Sequence, residues 1–140
     1  MQIKVKYLRC VPHLKQIENG DWIDLYAGVD VVMWAGDYVK IPLGVALQLP
    51  EGYEAIVAPR SSTFELYGLL MANGIGIIDE TYCGDTDEWH FPAYATKKIT
   101  IPAGTRICQF RIIQHQPTAE LITVETLGNP DRGGFGSTGR

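Results

Sequence analysis

Residues 30–58, DVVMWAGDYVKIPLGVALQLPEGYEAIVA, decide the fold class. Asp30–Trp34, Tyr38–Ile41, Gly44–Leu49 and Tyr53–Ala58 are short runs rich in β-branched and aromatic side chains, the types that pack well on a pleated surface. Gly36, Pro42 and Pro50-Glu-Gly52 punctuate them, and no helical period is sustained across these breaks. Strands this short at near-regular spacing predict an all-β sandwich or barrel.

Outward from this block the same grammar continues. Toward the N-terminus, Ile3, Val5 and Tyr7 alternate with Gln2, Lys4 and Lys6, the period of a strand with one buried face. A polar loop over Cys10–Asp21 follows, marked by Pro12, Asn19 and Gly20. Trp22–Ala27 then resumes strand character with Asp24 embedded in it. A carboxylate inside a strand is unfavourable without a partner, so Asp24 is either a water-facing edge residue or a functional group. Toward the C-terminus, Ser61–Tyr67 is the best helical candidate, with the hydroxyl of Ser61 or Ser62 as its cap. Trp89–Tyr94, Lys98–Ile101, Arg106–Ile113 and Glu120–Glu125 read as further strands. In the third of these Ile107, Cys108 and Phe110 are core candidates, and Gln109 points to the other face.

The chain's 140 residues, 46% of them hydrophobic, supply enough buried surface for one domain without disulfide or metal staples. A net charge of −4 argues against a general polyanion binder, so direct nucleic-acid binding is not expected. Cys10, Cys83 and Cys108 are odd in number and lack zinc-site or disulfide spacing, which predicts reduced thiols in a cytoplasm. The N-terminus mixes lysines into its apolar alternation unlike a signal peptide, and no apolar run approaches membrane-spanning length.

Three stretches carry chemistry. Gly74–Asp85, GIGIIDETYCGD, reads as a hairpin running into a carboxylate, a turn and an aromatic ring. Alone, Asp79 and Tyr82 are equally a turn residue and a strand residue over core. Ala58-Pro-Arg-Ser-Ser62 places an arginine and two hydroxyls at a strand-to-helix junction, where they serve either a phosphate or a helix cap. From Gly128 onward the chain has no capacity to form its own core. Its glycines, Arg132, Phe135, Ser137 and Thr138 are the parts needed to cover a nucleotide, or else a linker-like tail.

Taken in order, Asp24-Leu-Tyr-Ala27, Pro59-Arg-Ser-Ser62, Gly76–Asp85, Arg106-Ile-Cys-Gln-Phe110 and Arg132-Gly-Gly-Phe-Gly-Ser-Thr-Gly139 resemble the five motifs of the trimeric deoxyuridine triphosphatases (dUTPases). The resemblance runs from Trp22 to the C-terminus. Ala46–Tyr53 also looks like the strand-turn-strand before the family's second motif. The resemblance implies a jelly-roll β-sandwich over residues 1–127 that forms a homotrimer. It also implies an arm over 128–140 that completes a neighbouring subunit's site. The activity implied is Mg²⁺-assisted hydrolysis of dUTP to dUMP and pyrophosphate. Asp79 would be the general base for a water attacking the α-phosphorus, and Tyr82 would lie against the deoxyribose. Asn73 and the backbone from Gly74 through Gly76 to Ile78 would read the uracil edge. Arg60, Ser61, Ser62 and Gln109 match phosphate-contacting positions, and Asp24 matches a carboxylate that acts on Mg²⁺ through water. In the arm Phe135 would cover the uracil, beside Gly136, with Arg132, Ser137 and Thr138 on the terminal phosphates.

The chain departs from the family's common form at Cys83, where arginine is frequent, and in an Arg132-to-Phe135 spacing two residues shorter. The aromatic and charged segment Thr86–Tyr94 replaces an apolar strand. These departures are similar to phage-type members. A dCTP deaminase, alone or bifunctional, and a dUTP-sensing regulator with a protein partner are the alternatives. Asp79 followed by Tyr82 and the full glycine-rich tail favours anhydride hydrolysis.

Overall fold

The computed structural model describes residues 1–136. In chain order its elements are β1 (Lys4–Tyr7), β2 (Ile23–Tyr26), β3 (Val31–Met33), β4 (Tyr38–Pro42), β5 (Val45–Gln48), β6 (Tyr53–Pro59), α1 (Thr63–Tyr67), β7 (Leu69–Met71), β8 (Gly76–Ile78), β9 (His90–Ala95), β10 (Ile99–Ile101) and β11 (Arg106–Gln114). The result is the all-β class expected from residues 30–58, in the jelly-roll form that the family resemblance implied. Among the described residues no helix is long and apolar enough to cross a membrane.

A four-stranded sheet of order β2-β11-β6-β8 and a three-stranded sheet of order β4-β9-β7 are joined by the pairs β1-β5 and β3-β10, all antiparallel. Their inward side chains meet in one cluster. At its centre Trp89 packs edge-to-face on Phe110, with ring centroids 5.1 Å apart. Each large side chain removed from water here contributes about 1.5–3 kcal/mol. Segment 86–94, unusual in its charge, therefore supplies the core itself through Trp89, Phe91 and Ala93, while its polar residues face out.

β11 is the spine of the larger sheet, paired to β2 on one side and β6 on the other. The β2 register slips between Arg106 and Cys108, a bulge that turns two successive side chains inward. Ile107 and Cys108 are consequently both fully buried, together with Phe110, which strict alternation would forbid. Burial pushes the Cys108 thiol far above its ordinary range, with the nearby Asp24 charge adding to the effect.

Three expectations need correction. Gly74–Asp85 is not a hairpin: β8 pairs with the free edge of β6, while β7 pairs with β9 in the other sheet. The chain passes between sheets in the turn at Gly74, whose φ of +72° suits glycine. Neither serine hydroxyl caps α1. Ser62 has helical dihedrals and makes no side-chain cap bond, while the Thr63 hydroxyl ties the start of the helix to the sheet, its Oγ1 accepting from the Arg60 N–H (3.0 Å) and donating to the Ile107 carbonyl (2.7 Å). Glu120–Glu125 forms no strand. Leu121, Ile122, Val124 and Leu127 are left exposed.

Candidate active site

The sequence-predicted residues fall into two clusters at opposite ends of β6. The first is built on β8 and the turn that follows it. Gly76 is buried against Val57, where an added Cβ would stand 3.1 Å from the valine Cβ and 3.4 Å from Met71 Cε. Its lack of a side chain lets β8 lie flat on β6. Past Ile78 the strand ends in a local turn: Asp79 Oδ1 accepts from the Thr81 N–H at 2.7 Å, and the Asp79 carbonyl accepts from the Tyr82 N–H at 3.1 Å. That first bond holds the Asp79 carboxyl below the usual carboxylate range. The Tyr82 hydroxyl donates to the Glu88 carbonyl at 3.0 Å, which fixes the ring.

Asn73, Gly76, Ile78, Asp79 and Tyr82 together line one cavity of about 520 Å³. Lys40, Glu88, Trp89 and His90 complete its walls. Glu88 is held in turn by Arg9, whose Nε and Nη2 donate to its two oxygens at 2.7 and 3.2 Å, and by the Gly44 N–H at 2.9 Å. Burial works to raise the Glu88 pKa, but these donors outweigh it and leave it lowered.

The second cluster lies where β2, β11 and the end of β6 meet. Asp24 stands opposite Gln109, and Gln109 opposite Ala58. Asp24 has found the partners a strand carboxylate needs: Arg60 Nε at 3.3 Å on one oxygen and Arg106 Nη1 at 3.3 Å on the other. Arg60 Nη1 also reaches Ser62 Oγ at 3.5 Å, and Gln109 Nε2 donates to the Pro59 carbonyl at 3.1 Å. Ser61 is exposed beside them. This is a polar, cation-bearing corner suited to phosphate oxygens.

Gly76 pairs with Val57 and Ile78 with Ala55, whereas Arg60 follows Pro59, so three to five residues of β6, roughly 10–17 Å of extended strand, separate the clusters. Arg132, Phe135 and Gly136 are exposed and line neither region, and Ser137 and Thr138 lie outside the described residues. Sequence reasoning passed over Arg9, Glu80, Glu88, Arg106 and His115. Arg106 and Glu80 stood inside quoted motifs, but the pairings through which Glu80, Arg9, Glu88 and His115 act are distant in sequence, and no local pattern announces them. Nothing in the structure explains the cysteine at position 83.

Comparison with known proteins bears on this geometry. The dUTPase family model matches residues 19–139. The chain is 54% identical over 140 residues to the SPbeta prophage-derived deoxyuridine 5'-triphosphate nucleotidohydrolase YosS of Bacillus subtilis, covering 99% of each. Its fold is similar to that of a Staphylococcus bacteriophage 80alpha dUTPase solved with dUPNHPP, with a TM-score of 0.79, 22% identity and 99% coverage of both chains. It is also similar to a phage phi11 dUTPase mutant solved with a structural Mg(II) ion, with a TM-score of 0.77, 18% identity, and coverage of 91% of this chain and 99% of that one.

Proposed function

The chain belongs to the dUTPase family, and on that premise we propose that it hydrolyses dUTP to dUMP and pyrophosphate through a site assembled from more than one copy of itself. The observation that carries this reading is Asp79: an ionised, turn-held carboxylate on the rim of a cavity of nucleoside size, adjoining Tyr82.

In this reading Asp79 accepts a proton from water as the water oxygen bonds to the α-phosphorus. The bond from that phosphorus to the α–β bridging oxygen breaks, and pyrophosphate leaves with the electron pair. Tyr82, immobilised through Glu88, sits against the deoxyribose where a 2′-hydroxyl would need room. Asn73 and the backbone of Gly76 and Ile78 meet the uracil edge, where a fixed set of polar groups rejects cytosine strongly. Arg60, Ser61, Ser62 and Gln109 take the phosphates. Arg132, Phe135, Gly136, Ser137 and Thr138 form the arm over the bound nucleotide, and residues 128–140 thereby complete a neighbour's site against the 1–127 domain.

The placement of the phosphate corner at the end of β6, outside the cavity lined by Asn73, Gly76, Ile78, Asp79 and Tyr82, supports a composite site. Exposed Leu121, Ile122, Val124 and Leu127 support contact with further copies, as in a homotrimer. Among the described residues no group of three or more His, Cys, Asp or Glu is arranged to hold a metal ion. Both oxygens of Asp24 already face guanidinium groups. Such a carboxylate fits Mg²⁺ carried by the triphosphate and reached through water, not a protein cage. The ion would supply neutralisation of charge developing on the leaving pyrophosphate. No observation favours a deaminase or a regulatory dUTP sensor.

Asp79→Asn tests the reading. Removal of a general base costs on the order of 10²–10⁴ in rate, so pyrophosphate release from dUTP should fall by that factor while dUTP binding by calorimetry persists. Near wild-type turnover in this variant overturns the assignment.

A further inference from the structure

Behind the Asp79 turn three chain segments close on one another. Glu80 turns away from the main cavity and accepts the Gly52 N–H on Oε2 at 2.8 Å. The Gly52 carbonyl accepts the N–H of His115 at 2.9 Å. The ring closes where His115 Nδ1 faces the other Glu80 oxygen at 3.7 Å. The turn between β5 and β6, the residue after β11 and the turn after β8 are thus tied at one point. Gly52 makes both backbone bonds with a φ of +83°, a conformation that suits glycine.

Asp79 and His115 also line a second cavity, of about 440 Å³, with Glu54 on its wall. The groups facing the imidazole are therefore the carboxylates of Glu54, Asp79 and Glu80. Its Nε2 is buried without a hydrogen-bond partner, so the ring is held at its Nδ1 edge. β8 is a three-residue strand at a sheet edge, paired on one side to β6, and it cannot by itself fix the turn beyond Ile78. We propose that the Glu80–His115 pair, latched to Gly52, is a positioning device that holds the backbone of the Asp79 turn in the orientation needed for proton abstraction. Neither residue touches the nucleotide; both act through Asp79.

This inference rests on the reading of Asp79 as the general base, and the experiment separates the two. His115→Ala, His115→Gln, Glu80→Ala and the Glu80→Ala/His115→Ala double variant are assayed by steady-state dUTP hydrolysis beside Asp79→Asn, with thermal unfolding of each. A misplaced catalytic group costs roughly 10–100-fold. The expected result is a fall of about tenfold in kcat for either alanine variant, with KM and the unfolding midpoint nearly unchanged. His115→Gln, which keeps a side-chain donor for Glu80, recovers part of the loss. The double variant is no slower than the worse single one, as for two residues in one linkage. Multiplicative losses, a parallel rise in KM, losses that track the unfolding midpoint, or wild-type kcat in the alanine variants would overturn the positioning role while an inactive Asp79→Asn leaves the general base standing. An active Asp79→Asn would instead remove the reading beneath it.

Discussion

At the scale of single residues, the wall of the proposed base pocket is secured by an ion pair between distant parts of the chain. Glu88 fixes Tyr82 through its backbone carbonyl, and its own carboxylate is secured by Arg9 from the far N-terminal segment. The sign of the pH effect follows from the lowered folded pKa of Glu88. The unfolded chain takes up the proton first, so this pair's stabilisation is complete above the ordinary value near 4.5 and is lost as pH falls below it. Arg9→Ala should therefore lower the urea midpoint near neutrality, and the gap to wild type should close as the buffer is acidified. A gap independent of pH would contradict the pairing. The change should also raise KM for dUTP more than it lowers kcat, since it loosens the wall of the pocket and not Asp79.

At the scale of elements, β8 is a three-residue strand that leads directly into Asp79, the proposed general base. Gly76→Ala places a methyl 3.1 Å from the Val57 Cβ, and overpacking of this kind costs about 1–3 kcal/mol. The urea midpoint should drop accordingly, and kcat should fall with it as Asp79 shifts. The strands from Asp30 to Ala58 were legible because each writes its own alternation and its own turn residues. The partner of β8 was not, because adjacency in sequence suggests a hairpin while the actual pairing is chosen by the free edge of β6. β7 escaped for a related reason: Leu69-Leu-Met71 is too short to write an alternation of its own, and its partner β9 lies more than twenty residues further on. Thr63, the third hydroxyl in a row after Arg60, looked like helix interior, yet it bridges Arg60 to Ile107 across 44 positions. Local pattern records which face of an element is buried, but it carries no information on which distant backbone will be there to meet it.

At the scale of the whole molecule, residues such as Asp24, Arg60, Asp79, Tyr82 and Gln109 were nameable from motif order, since each motif keeps its residues contiguous. Their division into two clusters was not, because it follows from the antiparallel register of β6 and β8. On the proposed assembly a chain ending at Gly128 should remain folded and oligomeric by light scattering, because the described residues of the arm, 128–136, make no contribution to the core. Its kcat/KM for dUTP should fall by about 10²-fold or more, the scale of losing phosphate-binding and positioning groups. Wild-type kinetics in that truncation would leave the arm without a role. The bulge in β11 has a consequence of a different kind. By turning Cys108 inward beside Phe110 it sequesters one thiol beneath both β2 and β6, while Cys10 and Cys83 stand in solvent. The three cysteines therefore keep different time: two answer an alkylating reagent at once, and the third only when the central sheet parts, so its lag records how often the molecule breathes.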